Sequence, residues 1–206
     1  MAHDASLHLP AHGDTRRPRI PSAVLGTALL VLSEVMFFSG LISSFVVLRS
    51  HAGVWPPVDQ PRLPLMITGI NTLALLASAY TIWRARRDLL GNNAEQARQW
   101  LQATFLLGVA FVAIQGYEWT QLIHHGLTTA NNLYGGLFYV LIGTHAAHVV
   151  GALIALGLVL RNMGRGRYTP QNHDGLLAIR LFWFFVVGIW PVLYALVYLW
   201  ETPSQP

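Results

Sequence analysis

Five long apolar stretches, separated by short polar segments, dominate the sequence. A helix needs about 20 apolar residues to cross the hydrocarbon core of a bilayer, and each stretch meets that length with few charged residues inside it. The short alternating segments typical of a membrane β-barrel are not seen. The pattern predicts an all-α polytopic membrane protein, a bundle of five transmembrane helices with spans at about 22–48, 63–86, 98–124, 133–161 and 178–201.

The polar segments outside these spans are short. Residues 1–21 are predicted to form a polar N-terminal tail, residues 22–201 the membrane domain and residues 202–206 a C-terminal tail. None of the connections is long enough for a separate soluble domain. The first apolar stretch is longer than the apolar region of a signal peptide, so we expect a retained span rather than a cleaved leader.

The composition agrees with a membrane protein. The chain is 53% hydrophobic and only 11% charged, whereas soluble domains average about 25% charged residues. All thirteen basic residues are arginine, and they lie between the apolar stretches rather than on one basic face, so we expect no nucleic-acid partner. Cysteine is absent, which excludes disulfides and thiolate metal sites.

The arginines also predict an orientation. Eleven of them fall in the N-terminal tail and in the second and fourth connections, and two fall on the other side of the membrane in the first connection. Cytoplasmic segments are enriched in Lys and Arg. We therefore expect the N-terminus to face the cytoplasm and the C-terminus to face the opposite side.

Glu34 is an acid about 12 residues into the first span, or roughly 18 Å deep at 1.5 Å per residue. An unpartnered carboxylate at that depth would cost several kcal/mol. We expect a mostly protonated carboxyl that donates a hydrogen bond to another helix, with His145 or His148 as the best candidates. Two roles stay open at this point: a structural link between helices, or a group that exchanges protons or contacts lipid.

His145 and His148 share one helical face in the fourth span, and Glu118 lies near the end of the third. Two acids and two imidazoles suit a binuclear iron or manganese site, and paired histidines suit haem. However, no Glu-x-x-His pair occurs on one helix, and both buried histidines lie on the same helix. We therefore expect no metal site in this chain, and an uncharged hydrogen-bonded cluster formed by these residues.

Four segments carry a family resemblance. They read "SEVMFFSGLISSFVVLR", "INTLALLASA", "LGVAFVAIQGYEWTQLI" and "YGGLFYVLIGTHAAHVVG". Their order and spacing resemble subunit III of the haem–copper oxidases from about Leu32 to Arg161. The spacing between the Gln115–Glu118 segment and the His145–His148 segment makes the resemblance more specific. Five spans are similar to the short bacterial form of this subunit.

The resemblance implies a function. Such a subunit has no haem or copper of its own, packs with oxidase subunits I and II, which are expected to hold those cofactors, and binds phospholipid. It supports proton uptake and stable turnover during oxygen reduction in the bacterial inner membrane. By this resemblance Glu34 is a buried acid near lipid, and Arg161 falls where the family has an arginine that binds a lipid phosphate. The buried polar positions that match are Glu34, Glu118, His145 and His148.

The last span departs from the family pattern. Phe184 and Val187 stand where the family usually has His and Asp, and Leu177 stands where it often has Glu. Roles that need those groups are not carried over. Two alternatives follow: an accessory subunit of a nitric oxide reductase, or, from another class, a small stand-alone membrane transporter. Against the transporter, the sequence shows neither a repeated half nor a span broken at its middle.

Overall fold

The structure, a computed structural model, describes residues 21–51, 65–124 and 133–200, without the side chain of residue 133. This part of the chain is all-helical and confirms the five predicted membrane spans, each long and apolar enough to cross a bilayer. The predicted tails lie almost wholly outside the described residues, and the orientation stays a prediction. The helices are α1 (Ser22–Ser50), α2 (Leu65–Leu90), α3 (Ala94–His124), α4 (Leu133–Gly164) and α5 (Asp174–Tyr194), which continues into a π-helical segment (Ala195–Leu199).

Two tight connections position neighbouring helices. The turn between α2 and α3 places Asn92 at φ 62°, a left-handed conformation that Asn tolerates better than most residues. The connection between α4 and α5 places Gly166 at φ 68°, where a side chain would be strained. As a result α2 and α3 pack together along their length. α5 contacts α1, α2 and α4, while α3 bridges α2 and α4.

The buried face of α2 is unexpectedly polar. Its hydroxyl and amide side chains bond to neighbouring helices, since Trp183 Nε1 donates to Ser78 Oγ at 3.0 Å and Trp190 Nε1 donates to Thr72 Oγ1 at 2.8 Å. Asn71 Nδ2 donates to the Phe111 carbonyl on α3 at 3.1 Å. Helices in lipid gain little from burying apolar surface against one another, so interhelical hydrogen bonds and close packing hold them together.

Close packing is most evident at Gly108 of α3. A Cβ built there would lie 2.6 Å from the Trp183 ring and 2.7 Å from Leu153 Cδ2, both closer than real Cβ contacts allow. The Trp183 ring is fully buried and has little room to move. Gly108 therefore lets α3 approach α4 and α5 at the centre of the bundle.

Helix α1 is peripheral. It packs mainly on α5 and meets α4 at only a few positions, so most of its apolar surface is exposed. Its C-terminal end is held by Arg49, which donates to the Trp200 carbonyl and lies 4.3 Å over the Trp200 ring. This contact ties the end of the first helix to the end of the last.

Candidate functional site

Glu34 and His148 form a polar link between α1 and α4. The distance from Glu34 Oε2 to His148 Nε2 is 2.9 Å, and the two side chains are 18% and 20% exposed. Of the two histidines expected to partner Glu34, His148 is therefore the one that does so. The rings of Phe38 and Phe182 flank the imidazole at 5.2 and 6.5 Å between centroids.

The other ring nitrogen of His148 defines the proton arrangement. His148 Nδ1 lies 2.7 Å from the Thr144 carbonyl oxygen. A carbonyl only accepts, so Nδ1 carries hydrogen and Nε2 is the nitrogen that faces the carboxyl group. One proton then lies between Glu34 and Nε2, as a neutral pair or as an ion pair. Either way the pair has no net charge, which lowers its cost in a membrane.

An apolar groove between α1 and α4 begins seven residues from this link on each helix (41 − 34 and 148 − 141), or about 10 Å along the axis. It has a volume of about 380 Å³ and is bounded on α1 by Leu41, Ser44 and Phe45, and on α4 by residues from Gly136 to Leu141. The two helices run side by side here without closing on each other. The lining of the groove is mostly apolar.

Glu118 belongs to a second, separate site. Thr68 Oγ1 donates to its carboxyl oxygens at 3.0 and 3.1 Å, and Gln115 Nε2 donates to Oε2 at 2.9 Å. Gln115 Nε2 also lies 3.2 Å from the hydroxyl of Tyr198. All four side chains are buried. Glu118 is six residues (124 − 118) before the end of α3, so the site lies about 9 Å from that end.

The π-helical segment brings Tyr198 to this site. A π turn contains more residues than an α turn, so it rotates the residues that follow, and such turns are often found at functional positions. Pro191, inside α5, precedes the segment. The ring of Tyr194 stacks on Tyr198 at 5.4 Å and its hydroxyl donates to the Leu65 carbonyl at 3.0 Å. The end of α5 is thereby joined to the start of α2.

His145 has a different environment from His148. It is 1% exposed, stacks on Trp190 at 4.9 Å and meets the edges of Phe38 and Phe111 at 6.4 and 6.3 Å. Neither of its ring nitrogens has a hydrogen-bond partner in the described part of the chain. His145 is an imidazole enclosed by aromatic rings.

The expected single cluster of the two acids and two histidines is therefore wrong. Glu34 pairs with His148, Glu118 bonds to Thr68 and Gln115, and His145 bonds to neither acid. The physical reason is depth, because Glu118 lies near one end of α3 whereas the histidines lie in the middle of α4. In the described ranges no group of three or more His, Asp or Glu side chains converges as metal ligands would.

The remaining predicted positions lie apart from these sites. Arg161 is exposed near the C-terminal end of α4. Val187 and Phe184 of α5 were expected to depart from the family pattern. Val187 is 2% exposed in the apolar core, and the guanidinium of Arg180 lies 5.5 Å from the centre of the Phe184 ring. Leu177 is partly buried. These three positions of α5 are therefore occupied by apolar side chains, of which Val187 lies in the core and Phe184 packs against it.

Two residues of the Glu118 site were not predicted from the sequence. Thr68 and Tyr198 lie on helices far from Glu118 in the chain, and isolated hydroxyl residues in apolar stretches are common. The signal available for Thr68 was the set of hydroxyl residues that share one face of α2, namely Thr68, Thr72, Ser78 and Thr81.

Comparison with known proteins gives a consistent result. The family described as Cytochrome c oxidase subunit III matches residues 11–202. "Cytochrome c oxidase subunit 3" of Synechocystis sp. is 35% identical over 190 residues, which is 92% of this chain and 79% of that protein. "Probable cytochrome c oxidase subunit 3" of Nocardia farcinica is 35% identical over 183 residues, 88% and 89% of the two chains. "Cytochrome c oxidase subunit 3" of Thermostichus vulcanus is 33% identical over 193 residues, which is 93% of this chain and 90% of that protein.

Proposed function

The chain belongs to the cytochrome c oxidase subunit III family, and on that premise we propose that it is the non-redox subunit III of a respiratory haem–copper oxidase. In this proposal it packs with subunits I and II in the bacterial inner membrane, binds phospholipid, and supports proton uptake and stable turnover. The redox centres belong to the partner subunits. The observation that carries the proposal is the Glu34–His148 link between α1 and α4, together with an apolar groove between the same two helices.

Two features support phospholipid binding. The groove between α1 and α4 suits an acyl chain, and Arg161 is exposed at a helix end, where a guanidinium can bind a phosphate with two parallel hydrogen bonds. Arg161 is 20 residues (161 − 141) from Leu141 at the groove, or about 30 Å along the helix. Because that distance matches the hydrocarbon thickness, the two features would serve lipids of opposite leaflets.

Support for proton uptake comes from the shared proton. Glu34 and His148 hold one proton between two groups whose total charge is zero in both arrangements, so the proton can shift between them without changing the net charge of the pair. Both side chains are about one-fifth exposed, which leaves a way for exchange with a partner chain. The Glu118 site, by contrast, is fully enclosed, and we propose that it holds the helix ends together.

Affinity purification through a tag on this chain tests the assignment. We expect haem-bearing chains to co-purify, with oxygen consumption in the preparation. A colourless preparation of this chain alone would support the stand-alone transporter instead, and a complex that reduces nitric oxide but not oxygen would support the reductase accessory subunit.

Lipid content tests the finer proposal. Native mass spectrometry of the complex should show one phospholipid fewer in an Arg161→Gln variant. Arg165→Gln is the matched control, since Arg165 is exposed one turn further along. Equal lipid content in Arg161→Gln and the parent would contradict the proposed role of Arg161.

A further inference from the structure

Arg86 of α2 and Arg180 of α5 lie where these two antiparallel helices pack together. The hydrogen bond from Trp183 to Ser78 marks one level of that interface. Arg86 is eight residues from Ser78 (86 − 78) and Arg180 is three residues from Trp183 (183 − 180). Both intervals run toward the end of the bundle that carries the α2–α3 connection. At 1.5 Å per residue the two arginines lie about 12 and 4.5 Å from that level.

Both arginines lie on the faces through which the two helices bond. Fourteen residues, or about four turns, separate Arg86 from Thr72, which accepts a hydrogen bond from an indole of α5. The same interval separates Arg180 from Tyr194, which donates to a carbonyl of α2. Side chains lean toward the N-terminus of their own helix, so on antiparallel helices these two lean toward each other. Their guanidinium groups are close enough for the like charges to repel.

No carboxylate in the described ranges forms an ion pair with either arginine. Two of the three acids described at this end of the bundle are paired with other arginines at 3.8 and 3.9 Å, as Arg84–Asp88 and Arg98–Glu95. The third, Asp174, lies six residues before Arg180 on the same helix (180 − 174), or about 9 Å along the axis. Arg86 Nε is buried and has no hydrogen-bond partner within the same ranges. Two neighbouring cations with no described counter-charge call for an anion from outside them.

The surroundings favour one class of anion. Arg180 lies inside an apolar span, where a charged side chain marks a functional position, and its guanidinium lies 5.5 Å from the centre of the Phe184 ring. Both arginines are partly exposed, so an anion can reach them from the surface of the bundle. At this depth the headgroups of a bilayer meet its hydrocarbon core, and lipid phosphates are the anions found there. A planar guanidinium can bind phosphate oxygens with two parallel hydrogen bonds.

We propose that Arg86 and Arg180 together bind the phosphate of an anionic phospholipid, at a site separate from the one proposed at Arg161. Two cations without a described acid favour a lipid with net negative charge over a zwitterionic one. The Phe184 ring lies on the apolar side of the site and packs against the first methylenes of the lipid. Arg161 belongs to α4, whereas this site lies between α2 and α5. Such a site requires only that the chain spans a membrane, so it does not rest on the oxidase assignment.

Native mass spectrometry of the purified protein, with any chains that accompany it, tests the site. We expect Arg86→Gln and Arg180→Gln each to retain one phospholipid fewer than the parent. Arg87→Gln is the matched control, because it removes the same charge from the adjacent, exposed position of α2, and it should retain the full number. Equal lipid content in the parent and both variants overturns the proposal, as does an equal loss in Arg87→Gln. A combined Arg161→Gln and Arg180→Gln variant that loses no more lipid than Arg161→Gln alone indicates one shared site and also overturns it.

Thermal unfolding after delipidation separates a lipid from other anions. Without lipid the two like charges repel, so the midpoint of Arg180→Gln should equal that of the parent or exceed it. Added phosphatidylglycerol should raise the parent midpoint by about 2–4 °C and that of Arg180→Gln by less than half as much. The same rise with inorganic phosphate alone indicates a free-ion site, and a lower midpoint in delipidated Arg180→Gln indicates a protein carboxylate; either result overturns the proposal. If Arg180→Gln cannot be purified, Arg86→Gln provides the same comparison.

Discussion

Replacing Glu34 by Ala should loosen the attachment of α1 to the bundle. α1 packs mainly on α5 and has few contacts with α4, so the hydrogen bond between Glu34 and His148 is a large part of its link to that helix. Interhelical hydrogen bonds in membranes contribute about 0.6 kcal/mol on average and up to about 1.7. Leaving His148 Nε2 without a partner adds a desolvation cost, of the order of 1 kcal/mol.

We therefore expect Glu34→Ala to lower stability by about 1.5–2.5 kcal/mol. For a chain of this size that corresponds to a fall of about 3–10 °C in the thermal midpoint at which the chain leaves the complex. The assay is thermal dissociation of the purified complex, followed by the fraction of this chain retained. Ser33→Ala is the control, because the Ser33 hydroxyl bonds to the Leu30 carbonyl of its own helix, and it should change stability by less than about 0.5 kcal/mol.

A double-mutant cycle isolates the contact itself. Combining Glu34→Ala with His148→Ala should give a coupling energy of about 0.6–1.7 kcal/mol. Glu34→Gln should stay within about 0.5 kcal/mol of the parent, since the amide can donate to Nε2. It should still shorten the active life of the complex if the shared proton serves proton uptake. A coupling energy of zero, with Glu34→Ala as stable as the parent, would refute the reasoning.

Three further predictions concern topology, metal content and packing. Reporter fusions after Arg87 and Pro206 should give opposite signals, with the first cytoplasmic, because eleven arginines would otherwise be translocated; signals on one side would refute five spans. Elemental analysis and an absorption spectrum of the isolated chain should show no stoichiometric redox metal, and a one-per-chain metal lost in His145→Ala would contradict this. Gly108→Ala should destabilise the chain by about 1–3 kcal/mol, since a Cβ there meets side chains at 2.6–2.7 Å; Gly151→Ala, with open space around it, should be neutral in the same thermal assay.

Much of the fold could be predicted from the sequence. Helices that cross lipid must satisfy their backbone hydrogen bonds internally and present apolar side chains, so length and composition mark them clearly. The polar face of α2 was harder to predict. Thr72 and Ser78 look like unremarkable members of an apolar span until Trp190 and Trp183 are seen to donate to them from α5.

The candidate site was predicted in part. Depth alone pointed to Glu34 and to a histidine partner on α4, but the choice between His145 and His148 depends on which side of that helix faces α1. Glu118 was recognised as a buried acid, whereas its partners Thr68 and Tyr198 were not. Each of them is brought in from another helix, and the π-helical segment that rotates Tyr198 has no clear sequence signature.

The sequence by itself determined that this chain has five helices long and apolar enough to cross a membrane, because the hydrophobic requirement of a bilayer acts on each helix separately. It also indicated that Glu34, Glu118, His145 and His148 lie inside apolar spans, because depth within a span follows from position. Only the tertiary structure decided how those groups are partitioned: a link between Glu34 and His148, a closed site around Glu118, and an aromatic enclosure around His145. Hydrogen bonds between helices depend on rotation and register, and those are fixed by packing at places such as Gly108, where a missing side chain sets how closely two helices approach.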